Sequence, residues 1–199
     1  MRPSKETVIL IAAPLFLYLH LQYVTEHYTV FLVATIFSLF CLPLALLFFI
    51  GADLRKFGFT WKKWPFAMNK TVLVGLAIVA FLYLASSLPQ FRDYYLLRKP
   101  EGLESSIPYL FIYLALYFFV WEFFFRGFLL FGLRERFGTF AIIIQTVPFA
   151  IMHFDKPPLE AVLAVFAGLA FGHIAYRSNS FLPAFLIHWL MNIALLTFV

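Results

Sequence analysis

Glu122 and Arg126 stand four residues apart inside an apolar run, from about Ile107 to Leu133, long enough to cross a bilayer. A charge at membrane depth costs about 2.5–3.5 kcal/mol on insertion scales, so such residues are seldom kept without a function. Two further apolar stretches carry polar groups: His153 on one, and His188 with Asn192, again four apart, on the other. Residues four apart share a helix face. A carboxylate with an imidazole partner can deprotonate water and later protonate a leaving amine. A second imidazole and an amide can hold the oxyanion formed when a peptide carbonyl is attacked. Alternatively, Glu122, His153 and His188 could ligate Zn²⁺ and leave an open position for water. Spacing alone does not separate metal-free from zinc chemistry.

These groups can meet only if helices bring them together. Hydrophobic residues make up 63% of the 199, charged residues only 13%, and the mean hydropathy is +0.90. That balance excludes an ordinary soluble domain and predicts an all-α, polytopic transmembrane helical bundle forming one domain over 1–199. Seven apolar runs qualify as spans: Val8–Val24, Val30–Ile50, Thr71–Leu88, Ile107–Leu133, Phe140–Phe154, Leu159–Tyr176 and Phe181–Phe198. The first resembles a signal peptide, but it is longer than a usual apolar core and lacks a clean cleavage site, so a retained span is expected. At about 1.5 Å per residue from the near helix ends, Glu122 and Asn192 lie roughly 18 Å deep, His153 roughly 22 Å, and Arg126 and His188 roughly 12 Å. One polar cavity can hold all five.

The net charge of +5 falls in short connections rather than in a basic stripe, which argues against nucleic acid and for a positive-inside bias. Arg2, Lys5, Arg55, Lys56, Lys62, Lys63, Lys70, Arg134, Arg136 and Arg177 group on one side, and Arg92, Arg98, Lys99 and Lys156 on the other. The N-terminus is therefore expected in the cytoplasm. The stretch Gly51–Lys70 mixes Phe57, Phe59, Trp61, Trp64 and Phe66 with lysines, as expected of a segment in the headgroup region. Pro89–Ser106 is the most polar connection. The 28 phenylalanines are expected to face lipid, and Cys41, alone, to be a packing residue with no disulfide or thiolate metal site.

Each piece also has a plain structural explanation. Glu122–Arg126 could be an ion pair locking helices, His153 an interfacial histidine, and His188–Asn192 interhelical glue worth about 0.6 kcal/mol per contact. Convergence of all three at similar depth favours a site. His173, beside the small-residue pattern Gly168–Gly172, is expected to pack; His20 and His27 to lie at an interface; Gln145 and Thr146 to bond between helices near Pro148.

Three segments carry a family resemblance: Trp121-Glu122-Phe123-Phe124-Phe125-Arg126-Gly127, Phe149-Ala150-Ile151-Met152-His153 and His188-Trp189-Leu190-Met191-Asn192. They resemble the ordered motifs EExxxR, FxxxH and HxxxN/D of the CPBP intramembrane proteases, which include the type II CAAX-prenyl endopeptidases and bacteriocin-processing or self-immunity proteins. The resemblance runs from about Tyr117 to Ile193, with a family-like core at about 107–198. It implies that Arg126 pairs with Glu122, His153 assists the water, and His188 and Asn192 stabilise the oxyanion. The family's first glutamate, its usual base, is Trp121 here.

The resemblance thus implies an intramembrane endopeptidase of a bacterial or archaeal cell membrane. Its partners would be the bilayer and a membrane-associated peptide or protein; no cofactor is required, or zinc takes part. A catalytically impaired peptide-binding or immunity protein is the alternative, favoured by Trp121. A proton-relay transporter ranks last, since no inverted repeat is present.

Overall fold

Eight helices are formed among the described residues of the computed structural model, which are 3–24, 27–60, 64–97 and 103–199. Helix α1 is Lys5–Leu21, α2 Tyr28–Phe49, α3 Trp64–Ala85, α4 Pro89–Leu96, α5 Ser106–Phe137, α6 Phe140–Ile151, α7 Pro158–Ser178 and α8 Leu182–Phe198. No strand occurs among these residues. Arg2, Lys62, Lys63, Arg98 and Lys99 lie outside the described residues, as does Trp61. The side chains of Trp64, Phe66 and Lys70 are also outside the description.

Every predicted span contains a helix, but the count of seven is not reached by length. Helices α2, α5 and α7 are long and apolar enough to cross a membrane. A fourth crossing arises if Thr71–Ala85 and Pro89–Leu96, bent by 98° at their break, count as one span. Helix α6 has 12 residues, about 18 Å against a hydrocarbon core of about 30 Å. Apolar helices of this kind fit an integral membrane protein. The polar stretch after Leu88 is not all loop: Pro89 opens α4, its fixed φ suiting a first helical turn.

Helix α5 is the axis of the molecule. Every residue from Val120 to Phe131 is buried, and α1, α2, α6, α7 and α8 surround it. Its backbone widens to i→i+5 hydrogen bonding over Phe123–Leu130, immediately after Glu122. Such single-turn widenings recur at functional sites. Phe123, Phe124, Phe125, Phe128, Phe149, Phe171 and Phe181 are fully or almost fully buried around this segment. Many phenylalanines therefore build the core rather than face lipid. Cys41, by contrast, is exposed on α2.

Helices α6 and α7 meet across Gly168 and Gly172. A Cβ on Gly172 would stand 2.7 Å from Gln145 Nε2, and one on Gly168 2.8 Å from Thr146 Cγ2. Gln145 Nε2 donates to the Gly168 carbonyl at 2.9 Å, as the interhelical role predicted. Thr146 turns back on its own helix, donating to Ile142 O at 2.7 Å. His173 is exposed on the outer side of this seam.

The basic ends cluster. Lys56 pairs with Glu135 at 2.9 Å, Arg134 donates to Asn179 Oδ1 at 2.7 Å, and Lys5 reaches Gly51 O at 3.4 Å. These contacts gather the start of α1, the α2–α3 connection and the turns after α5 and α7 at one end. Asn179 supplies the left-handed residue that ends α7 (φ 54°). The expected headgroup segment is partly internal: Phe57 is buried, and Phe59 stacks near Phe123 and Phe181, with centroids 5.3 and 5.1 Å away.

Candidate active site

Glu122 and His188 are brought together by the antiparallel packing of α5 and α8. Glu122 Oε1 accepts from His188 Nδ1 at 2.6 Å and from Arg126 Nη1 at 2.9 Å. Carboxylate and guanidinium are both wholly shielded from solvent. The guanidinium carbon lies 4.1 Å from the Phe149 ring centre and 5.5 Å from that of Phe171. Aromatic faces thus share the positive charge with the carboxylate. In such a low-dielectric setting the acid and base hold one another firmly, and removing either costs stability.

The imidazole of His188 is fixed from both sides. Glu122 holds Nδ1, and the Phe118 ring lies 4.3 Å away, leaving Nε2 as the nitrogen free for chemistry. Asn192, one turn on, bonds its amide to His188 O at 2.9 Å. His153 sits in the turn that follows α6, with Nδ1 within 2.8 Å of Phe149 O. A backbone carbonyl only accepts, so Nδ1 carries the proton and Nε2 the lone pair. Both histidines are therefore set up to present Nε2.

A cavity of about 390 Å³ opens beside them, between α3, α4, α5, α7 and α8. Its wall includes Trp121, His153, His188 and Asn192, but neither Glu122 nor Arg126. Three of the five predicted residues thus face one cavity, and the other two stand behind His188. Trp121 occupies the wall position next to Glu122, 4% exposed, stacked 5.5 Å from Tyr117 and edge-on to His153 at 6.3 Å. Its opposite neighbour is His20, 5.9 Å away. His20 is 2% exposed, so it is a core residue and not an interfacial one.

Outside the motifs, Tyr95, Lys156 and Glu160 also line the wall. Tyr95 donates its hydroxyl to the Glu160 carboxylate, 2.7 Å from each oxygen, and Lys156 Nζ lies 3.7 Å from Oε1. The signal in the sequence was the i,i+4 pair Lys156–Glu160, directly after His153, which reads as an ordinary charged turn.

Of the three zinc donors the spacing allows, His153 and His188 have their Nδ1 atoms bonded and line the cavity, whereas Glu122 stands outside its wall. No three His, Cys, Asp or Glu among the described residues group as metal ligands.

Residues 103–194 match the family model described as type II CAAX prenyl endopeptidase Rce1-like. This match supports the CPBP assignment. The matched segment contains Glu122, Arg126, His153, His188 and Asn192. No curated protein and no solved structure matches the chain.

Proposed function

With the CPBP assignment as the premise, we propose that this chain is an intramembrane endopeptidase that hydrolyses a peptide bond of a membrane-associated substrate by imidazole-activated water. The observation that carries this is the 2.6 Å bond joining the sealed Glu122 to His188, whose ring lines the same cavity as His153 and Asn192. Glu122 works through His188 rather than on water directly, as partner of the base. Its charge holds Nδ1–H and stabilises the imidazolium formed when Nε2 takes a proton from water. His153 Nε2 accepts a hydrogen bond from the same water and orients it. Asn192 has a second amide hydrogen to offer the developing oxyanion. The imidazolium then returns its proton to the leaving nitrogen. Arg126 pairs with Glu122 and holds it in place.

The family resemblance assigns His188 to the oxyanion, and its hydrogen bond to Glu122 favours the base role instead. The test is cleavage of a matched membrane peptide by purified protein. Glu122→Ala and His153→Ala abolish hydrolysis while the protein stays folded, and full activity in both variants would refute the assignment. A second reading, a non-catalytic binder of hydrophobic peptides, is favoured by Trp121 standing where the motif has an acid. Under it, wild type has no activity and Trp121→Glu creates some.

A further inference from the structure

Among the described residues lining the cavity, Glu160 is the one carboxylate. It stands on the first turn of α7, and its side chain is 18% exposed. Consecutive backbone bonds, Lys156 N to His153 O at 3.1 Å and Glu160 N to Pro157 O at 2.8 Å, fix it relative to His153. Tyr95 from α4 holds both carboxylate oxygens. Lys156 offers a primary ammonium nearby, at 3.7 Å, beyond hydrogen-bonding range. Its Nζ rests 5.5 and 5.6 Å from the ring centres of Tyr94 and Tyr95. The carboxylate thus already faces a primary ammonium while bordering the cavity.

Amide hydrolysis makes such a cation. Water oxygen bonds to the carbonyl carbon and the C–N bond breaks. One water proton reaches nitrogen through His188, and the proton shed by the new carboxylic acid completes an α-ammonium. A lone ammonium in an apolar cavity is strongly disfavoured unless a carboxylate meets it. We infer that Glu160 is the ammonium-binding residue of this cavity and receives the α-amino group of the product released on the amine side of the cut. Tyr95 positions it. The ligand class is a peptide with a free, protonated N-terminus. The place in the reaction rests on the hydrolytic proposal above; the binding property does not.

The competing explanation is that Glu160 only pins α4 to α7 through Tyr95. Glu160→Gln separates the two, because the amide oxygen still accepts from Tyr95 while the negative charge is gone. Binding of leucyl-phenylalaninamide and of its N-acetyl form is measured on the purified full chain in detergent. Wild type prefers the free amine by about tenfold or more, and Glu160→Gln loses the preference. Tyr95→Phe weakens α4 docking but keeps a preference. No preference in wild type, or an unchanged one in Glu160→Gln, would overturn the assignment. So would N-acetyl-lysyl-phenylalaninamide binding as tightly as the free-amine peptide.

Turnover gives a second arm. Glu160→Gln slows an amide substrate, whose leaving nitrogen becomes cationic as the C–N bond breaks, by about tenfold more than the matching ester, whose leaving group is a neutral alcohol. Equal slowing of both would reduce Glu160 to a pin. If Glu122→Ala and His153→Ala both retain hydrolysis, the catalytic proposal falls while the binding comparison still decides the role of Glu160.

Discussion

Two opposite-charge pairs with identical spacing sit about one cavity, and they behave differently. Glu122–Arg126 is a 2.9 Å pair with both side chains 0% exposed, whereas Lys156–Glu160 is 3.7 Å apart with side chains 28% and 18% exposed. The first is enclosed by Phe149 and Phe171 and joined to His188. The second lies in the wall, shared with a tyrosine from a neighbouring helix. Burial, not spacing, separates a pair that fixes the His188 imidazole from one that stands open to the cavity.

Breaking the sealed pair has the largest expected effect. Arg126→Met leaves a buried carboxylate short of its cation and lowers stability by about 3–5 kcal/mol. Denaturant unfolding in mild detergent measures this, and the double variant Glu122→Gln/Arg126→Met recovers much of the loss. An Arg126→Met protein as stable as wild type would show that the pair is not tightly coupled. Next comes His188→Ala, which slows peptide hydrolysis by about 10²-fold or more, roughly 2.7 kcal/mol of barrier, with folding retained by circular dichroism.

The seam that carries the open pair can be overfilled. Gly172→Val drives a side chain into Gln145 and Ile142 and destabilises by about 1–3 kcal/mol, again read by unfolding. The smallest effect belongs to the open pair itself: Lys156→Met changes stability by less than about 1 kcal/mol. A loss as large as that of Arg126→Met would erase the distinction between the two pairs.

The sealed pair was legible in the sequence because its charges interrupt an apolar run, where any ionisable group is conspicuous. His153, His188 and Asn192 were legible for the same reason. The depth arithmetic brought all five together, but it could not show that Glu122 turns behind His188 and that Trp121 takes the wall. That outcome depends on which way α5 is rotated, and adjacent residues differ by about 100°. Lys156 and Glu160 escaped notice because charges in a turn are common, and only tertiary packing lines them along a cavity with Tyr95. Helix positions followed apolar runs well. The number of crossings was not legible, since α6 is apolar yet short, and the chain bends sharply before α4. The phenylalanines divide between outer surface and core because apolarity suits lipid and core alike; burial against α5 is a matter of packing partners.

Hydrolysis of a matched membrane peptide by Glu122→Gln, set beside wild type in one assay, probes the central claim most directly. Gln keeps the shape and can still accept from His188, but it cannot balance an imidazolium. Wild-type cleavage with a fall of about 10²-fold or more in the variant is the predicted result. An amide variant cutting at the wild-type rate would contradict it.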